Sequence, residues 1–267
     1  MNRLNQAFEG AKREGRKMLC PFLTAGYPSL EATPELLLAA QQAGADMVEV
    51  GIPFSDPVAD GPVIQASYTH ALARGSTVGK CLAGIAAARK LGVTIPLAAM
   101  VSFSIVFKRG TSEFSKACAD HGVDGLILPD VPLEEAPAIV DAVREAGLRS
   151  TLLVAPTSPA ARRAAIARLC DGFVYYLSVS GITGERKALP ADIAPNVAEL
   201  RKVTNVPICV GFGISTAEQV REVTRVADGA IVGSALIRRL AEVEDHPIAD
   251  QCKAAGSFIK EIAAGLR

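Results

Sequence analysis

The chain has 267 residues, of which 49% are hydrophobic, and its 28 basic and 28 acidic side chains leave a formal net charge of zero. This balance excludes the basic surface typical of nucleic-acid-binding proteins and the acidic excess typical of disordered chains. No stretch approaches the roughly 18 consecutive apolar residues of a membrane span, and residues 1–17 lack the apolar core of a secretory signal. We therefore expect a soluble, cytoplasmic protein whose partners are small molecules or other proteins.

Apolar runs rich in β-branched residues alternate with amphipathic stretches along the chain. Residues 1–17 predict a surface helix, because Leu4, Phe8 and Ala11 recur at helical spacing among charges. The apolar runs predict buried strands at 18–23, 46–50, 95–101, 124–128, 150–154, 173–177, 206–210 and 228–232. The amphipathic stretches predict helices at 30–43, 78–90, 111–120, 134–145, 160–169, 216–225 and 235–241.

This alternation favours a parallel sheet, because a parallel connection must be long enough to hold a helix. We predict an α/β fold of the (βα)8 TIM-barrel class with an extra N-terminal helix, as a single domain over residues 1–267. A doubly wound sheet is the main alternative, but no G-x-G-x-x-G follows the first strand. Helix starts are expected after Ser29, at Thr111 and at Ser215 to Glu218, which has the spacing of a capping box.

Two predicted loops, 51–62 and 178–192, are longer than usual and follow strand ends. In a barrel of this class the loops after the strands form the face where substrates bind, so both are candidates for lids. For the second of these loops, a flexible surface connection is the alternative interpretation.

Glu49 is the strongest catalytic candidate. It lies between Val48 and Val50 near the end of a predicted central strand, where burial should raise its pKa and make proton transfer near neutral pH possible. A structural ion pair inside the barrel is the alternative. In the following loop, Asp56 precedes a proline as in a turn, and Asp60 could cap the helix that Pro62 begins.

Glycine-rich turns follow the seventh and eighth predicted strands, where barrels of this class frequently bind phosphate. The candidate phosphate ligands are Gly211, Gly213, Gly233 and Ser234, with Gly184 from the loop after strand six. Apolar and aromatic candidates for a pocket lie near the strand ends, although ordinary core packing explains any one of them: Phe22, Ile64, Met100, Ile127, Leu153, Tyr175 and Phe212.

Metal and nucleophile sites have little support in the sequence. His70, His121 and His246 lack the spacing of zinc ligands, so we expect no metal. There is no G-x-S-x-G motif for a serine nucleophile. The six cysteines include no C-x-x-C pair, so we expect buried free thiols rather than disulfides.

The stretch from Val48 to Gly61 resembles the signature of the tryptophan synthase α chain family. Further segments match that family in order and spacing across nearly the whole chain: Phe22 to Pro28, Ile127 to Pro132, Ser180 to Gly184, Gly211 to Ile214 and Gly233 to Ala235. The resemblance implies retro-aldol cleavage of indole-3-glycerol phosphate to indole and glyceraldehyde 3-phosphate, with no metal or organic cofactor in this chain.

The resemblance also implies roles for individual residues. Glu49 would be the acid and base, Asp60 would pair with the indole N–H in place of capping a helix, and Thr183 and Asp56 would belong to the lid. The apolar candidates would hold the indole, and the glycine turns with Ser234 would hold the phosphate. Indole would pass to a β subunit that carries pyridoxal phosphate, in an α2β2 assembly.

One segment departs from the family. Where the family commonly has Tyr-Tyr-Asn-Pro after strand three, this chain has Ser102-Phe103-Ser104-Ile105. The departure affects the expected pocket lining and partner contacts, but not the two acids or the phosphate turns. Three interpretations of the chain remain: a subunit that works with a β chain, a free-standing lyase that releases indole, and a noncatalytic barrel that regulates a partner.

Overall fold

The protein is described by a computed structural model, and the description covers residues 2–57, 60–178, 190, 192–211 and 213–266. Three of the expected site residues, Thr183, Gly184 and Phe212, lie outside these ranges.

Parallel strands β1 to β8 pair in chain order, and β8 pairs with β1 to close the barrel. The strands are β1 (Met18–Thr24), β2 (Val48–Gly51), β3 (Leu97–Met100), β4 (Gly125–Leu128), β5 (Arg149–Val154), β6 (Val174–Leu177), β7 (Ile208–Gly211) and β8 (Gly229–Val232). This confirms the (βα)8 prediction and excludes the doubly wound sheet. Several strands begin later than predicted, because apolar residues such as Met47 are buried before the ladder of hydrogen bonds starts.

Helices cover the outside of the barrel. In the described ranges they are α1 (Arg3–Arg13), α2 (Ala32–Gln42), α3 (Pro62–Ala73), α4 (Val78–Lys90), α5 (Phe103–Arg109), α6 (Thr111–Asp120), α7 (Ala136–Glu145), α8 (Ala160–Leu169), α9 (Ile193–Arg201), α10 (Ala217–Thr224), α11 (Ser234–Ala241) and α12 (Ile248–Ala263). The extra N-terminal helix is confirmed as α1, whose buried residues are the predicted Leu4, Phe8 and Ala11. The Asn2 side chain caps it by accepting a hydrogen bond from the Leu4 amide.

Helices α5, α9 and α12 were not predicted. Helix α5 has only seven residues, too few to show a helical period. Helix α12 packs against α2 and α11, so its position depends on contacts between distant parts of the chain.

The start of α10 differs from the prediction by one residue. The capping box joins Thr216 and Gln219, not Ser215 and Glu218 as predicted. The Gln219 side chain also accepts a hydrogen bond from the Ser215 amide at 2.8 Å, which holds the preceding residue against the helix. Glu218 is exposed. Because both pairs have the same spacing, the sequence pattern alone does not choose between them.

The strand register determines which side chains face the barrel interior. Glu49 is paired with Phe22 on β1 and Ala98 on β3, and Met100 is paired with Ile127 on β4. Since side chains alternate between the two faces of a strand, Glu49 and the residues in its layer point inward. Its position two residues before the end of β2 places it close to the mouth of the barrel.

All six cysteines are free, and all except Cys252, which is half-buried, are buried. Among the described residues, no helix is long and apolar enough to cross a membrane.

Candidate active site

Glu49 is a buried carboxyl group with no ion pair to any of the described residues. Its side chain is 1% exposed, and neither carboxyl oxygen has a hydrogen-bond partner among the described residues. Burial, and after it the charge of the nearby Asp60 carboxyl, together raise the pKa of Glu49 to about 8. The alternative of a structural ion pair therefore finds no partner in the described ranges. At neutral pH Glu49 is mostly a neutral acid and can donate a proton.

Asp60 lies just before α3 and is 6% exposed. Burial, and after it the charge of Asp130, together raise the pKa of Asp60 to about 7. Helix α3 begins at Pro62 as predicted, but its N-cap residue is Gly61 and no side chain caps it. The capping interpretation of Asp60 is therefore wrong. The carboxyl group instead faces the same cavity as Glu49.

This cavity lies at the C-terminal ends of the strands. It brings together most of the residues that the sequence singled out, from both ends of the chain. Its lining consists of Phe22, Glu49, Asp60, Ile64, Met100, Tyr175, Gly213, Ile214, Ile231, Gly233 and Ser234. Ile214 and Ile231 were not predicted. Ile231 could have been found, because it is paired with Cys20 in the ladder and so shares the inward face with Phe22.

Three predicted residues are not part of the cavity lining. The register turns Ile127 and Leu153 to the barrel interior, but neither borders the cavity. Gly211 ends β7 against the ring of Tyr175, where an added Cβ would lie 2.5 Å from the phenol oxygen. The structure thus gives Gly211 a packing reason to be glycine, apart from any phosphate.

The wall of the cavity formed by the last two strands suits an anion. Gly213 has a φ of 80°, a conformation that favours glycine, and Gly233 is the N-cap of α11 with Ser234 as the first helical residue. No side chain in the described ranges caps α11, which leaves its first backbone amides suited to an anion. The positive end of a helix dipole attracts phosphate without a lysine or arginine.

A second, smaller cavity adjoins the first and shares Asp60 and Met100 with it. Asp56, the expected lid residue, lines this cavity and accepts a hydrogen bond from the Ser55 hydroxyl at 2.7 Å. Ser102, in the segment that departs from the family, also lines it and caps α5. Asp130 accepts hydrogen bonds from the Ser102 hydroxyl and the Phe103 amide, both at 2.7 Å.

Metal chemistry has no obvious site in the described ranges, where no three His, Cys, Asp or Glu side chains are placed to hold an ion together. The cavity combines two carboxyl groups whose pKa values are raised, an apolar wall and a wall that suits an anion. Such a site can move protons on a flat apolar group while the other end of the ligand, a phosphate, is held across the barrel mouth.

Comparison with known proteins gives a consistent result over the whole chain. The family model described as tryptophan synthase alpha chain matches residues 8–264. A tryptophan synthase alpha chain from Prochlorococcus marinus is 45% identical over 265 residues, covering 98% of this chain and 95% of the relative. Another, from Citrifermentans bemidjiense, is 41% identical over 266 residues, covering 100% of this chain and 98% of the relative.

Solved structures are similar over the same length. Tryptophan synthase from M. tuberculosis, in an aminoacrylate-bound form, matches with a TM-score of 0.87 and 31% identity, covering 100% of both chains. Tryptophan synthase subunit alpha from Legionella pneumophila matches with a TM-score of 0.87 and 33% identity, covering 100% of this chain and 98% of the other.

Proposed function

The chain belongs to the tryptophan synthase alpha chain family, whose members are lyases that cleave indole-3-glycerol phosphate in tryptophan biosynthesis, and we propose that Glu49 and Asp60 carry out this cleavage here. The products are indole and glyceraldehyde 3-phosphate. The observation that carries the proposal is a buried Glu49 in one cavity with Asp60 and the N-terminus of α11.

Glu49 acts first as an acid and then as a base. The neutral carboxyl group gives its proton to C3 of the indole ring, which becomes a cationic tautomer. The resulting carboxylate takes a proton from the glycerol hydroxyl next to the ring. As that O–H bond breaks, the carbonyl of glyceraldehyde 3-phosphate forms, the bond from C3 to the glycerol carbon breaks, and its electron pair returns to the ring. Glu49 ends the cycle protonated, as it began.

Asp60 supports the charge that this proton transfer creates. Its carboxylate pairs with the indole N–H, where positive charge develops once C3 is protonated. The role requires Asp60 to be ionised while Glu49 is protonated, and the order of their pKa values, about 7 and about 8, fits that requirement.

The remaining cavity residues position the substrate. The indole lies among Phe22, Ile64, Met100 and Tyr175, and Ile127, Leu153 and Phe212 complete the surroundings of the ring. Gly213, Gly233 and Ser234 hold the phosphate, and Gly184 and Gly211 belong to the same proposed phosphate site. Asp56 and Thr183 belong to the proposed lid over the barrel mouth. All of these roles fall within one proposed catalytic domain, residues 1–267.

Membership of the family implies a complex with a tryptophan synthase β subunit. We propose an α2β2 assembly in the cytoplasm, in which the β subunit holds the pyridoxal phosphate and condenses indole with serine. This chain needs no cofactor of its own, because proton transfer by carboxyl groups completes the cleavage.

Partner dependence separates the proposed subunit from a free-standing lyase. We expect slow indole release from indole-3-glycerol phosphate by the chain alone and faster release when a β subunit is added. High turnover that a β subunit does not change would favour the free-standing lyase. No cleavage under either condition would favour a noncatalytic barrel and would contradict the proposed function.

The pH dependence tests the two carboxyl roles. We expect kcat/KM of the wild type to rise as Asp60 ionises near pH 7 and to fall as Glu49 ionises near pH 8. In Asp60→Asn the rise should disappear, and the fall should move to lower pH because the Asp60 charge no longer raises the pKa of Glu49. At the optimum the variant should lose roughly 10²-fold in kcat/KM.

Asp141→Asn, at an exposed position on α7, is the matched control and should keep the wild-type profile. An Asp60→Asn profile that retains an unchanged rise near pH 7 would contradict the role of Asp60.

A negative charge at the start of α11 should weaken substrate binding. Ser234→Asp places a carboxylate among the amides that we assign to the phosphate, so KM should rise at least 10-fold with a smaller change in kcat. Steady-state kinetics measure both values. Ser257→Asp, an exposed position on α12, controls for the added charge. An unchanged KM in Ser234→Asp would place the phosphate elsewhere.

A further inference from the structure

Asp60 and Met100 line both the cavity that holds Glu49 and the second cavity, so the two spaces lie side by side. Apolar residues such as Ile52, Phe54 and Val101 line the second cavity together with Tyr68 and Ser102, and three aspartates, Asp56, Asp60 and Asp130, also border it. The second cavity has room for about one group of the size of a water molecule. A methyl group or a chlorine atom would fit.

This space depends on a small residue at position 102. Ser102 stands where the family commonly has a tyrosine, and its hydroxyl is turned to Asp130 by a hydrogen bond of 2.7 Å. The same side chain caps α5, so two interactions hold it in this position. A tyrosine ring at position 102 would take up much of the volume that serine leaves open.

Met100 separates the two cavities. It lies at the end of β3, is 6% exposed and lines both spaces. A methionine side chain is unbranched and has three rotatable bonds, so it can move aside for a small group at little cost. Asp60, the other shared residue, is the group that the proposed mechanism places at the indole N–H.

We propose that the enzyme accepts indole-3-glycerol phosphates with a small apolar or halogen substituent at ring position 7, and that the second cavity holds this substituent. The inference rests on the proposed function. Position 7 is the benzene-ring carbon nearest the N–H, so a group there points past Asp60 toward the second cavity. Position 4 lies at the opposite edge, beside C3, so a group there faces the buried Glu49 and not the second cavity.

The test compares kcat/KM for indole-3-glycerol phosphate and for its 4-methyl and 7-methyl derivatives. The two methyl groups have the same size and polarity and differ only in position. We expect the 7-methyl substrate to react within about threefold of the parent, and the 4-methyl substrate to be at least about 10-fold slower, as for one excess carbon in a full apolar pocket.

Two variants at position 102 identify the space that is used. Ser102→Tyr should lower the ratio of kcat/KM for the 7-methyl substrate to that for the parent by about 10-fold or more. Ser102→Ala removes the cap and the hydrogen bond to Asp130 without filling the cavity, so it should keep the wild-type ratio. Each ratio compares two substrates on the same variant. A loss of activity that affects both substrates equally therefore leaves the ratio unchanged.

The outcomes separate this inference from the proposed function. Failure of the wild type to cleave the parent substrate would contradict the function itself. Cleavage of the parent with equal losses for both methyl substrates would overturn the inference alone. So would a Ser102→Tyr variant that keeps the wild-type ratio.

Discussion

Glu49→Gln should lower the rate of indole release from indole-3-glycerol phosphate by about 10³-fold or more, because general acid and general base steps each contribute roughly 10²- to 10⁴-fold and this one group performs both. Glutamine has nearly the same shape as the protonated acid, but it cannot give a proton to C3 or accept one from the hydroxyl. Single-turnover measurements with a β subunit present isolate the chemical step from product release.

Substrate binding should survive this change. The phosphate is assigned to Gly213, Gly233 and Ser234, across the barrel mouth from β2, so the Kd for glycerol phosphate should change by less than about threefold. Glu218→Gln, at an exposed position on α10, is the control and should be fully active. If Glu49→Gln turned over at a near-normal rate, another group would have to move the protons.

The same substitution should make the folded protein more stable at alkaline pH. The pKa of Glu49 is about 8 in the folded protein, against 4.5 for the ordinary side chain, so the folded state binds more protons than the unfolded state between these values. The free energy of unfolding therefore falls as pH rises through this window, and the loss is complete above pH 8. With about 1.4 kcal/mol for each pKa unit, the loss reaches at most about 4–5 kcal/mol.

Glutamine does not ionise, so Glu49→Gln should escape this loss. Urea unfolding at pH 5 and pH 9 gives the difference in the free energy of unfolding between variant and wild type at each pH. We expect that difference to move in favour of the variant by several kcal/mol between the two conditions. Other titrating groups are common to both proteins and cancel. A difference that does not vary with pH would mean that Glu49 is not buried as an uncompensated acid.

The fold followed from local patterns because the barrel repeats one simple unit. Each buried strand is an apolar run and each helix carries a polar face, so strand and helix could be told apart without tertiary information. The prediction was weaker where contacts between distant segments decide the structure. Helix α12 packs on α2, and seven-residue α5 begins where Ser102 meets Asp130.

The candidate site was predictable to the extent that single residues carried a chemical signal. A carboxyl group between two valines pointed to Glu49, and glycine turns after the last two strands pointed to Gly213 and Gly233. The pattern could not decide between capping and a cavity role for Asp60, because both place an aspartate before a helix. Burial in the folded chain, at 6% exposure, decided the question.

The second cavity was beyond the reach of sequence patterns. It forms where the loops after β2, β3 and β4 meet helix α3, and none of these segments indicates an open space by itself. The sequence showed only the departure at residues 102–105, as a loss of tyrosine. The structure adds that Ser102 lines a small cavity beside Asp60.

The most direct test of the account is the protonation state of Glu49. Infrared difference spectra between the wild type and Glu49→Gln isolate the C=O stretch of a protonated carboxylic acid at this position. The account predicts that this band is present at neutral pH and disappears as pH rises through about 8. Its absence at neutral pH, with Glu49 already ionised, would contradict the claim that a buried neutral acid starts the reaction.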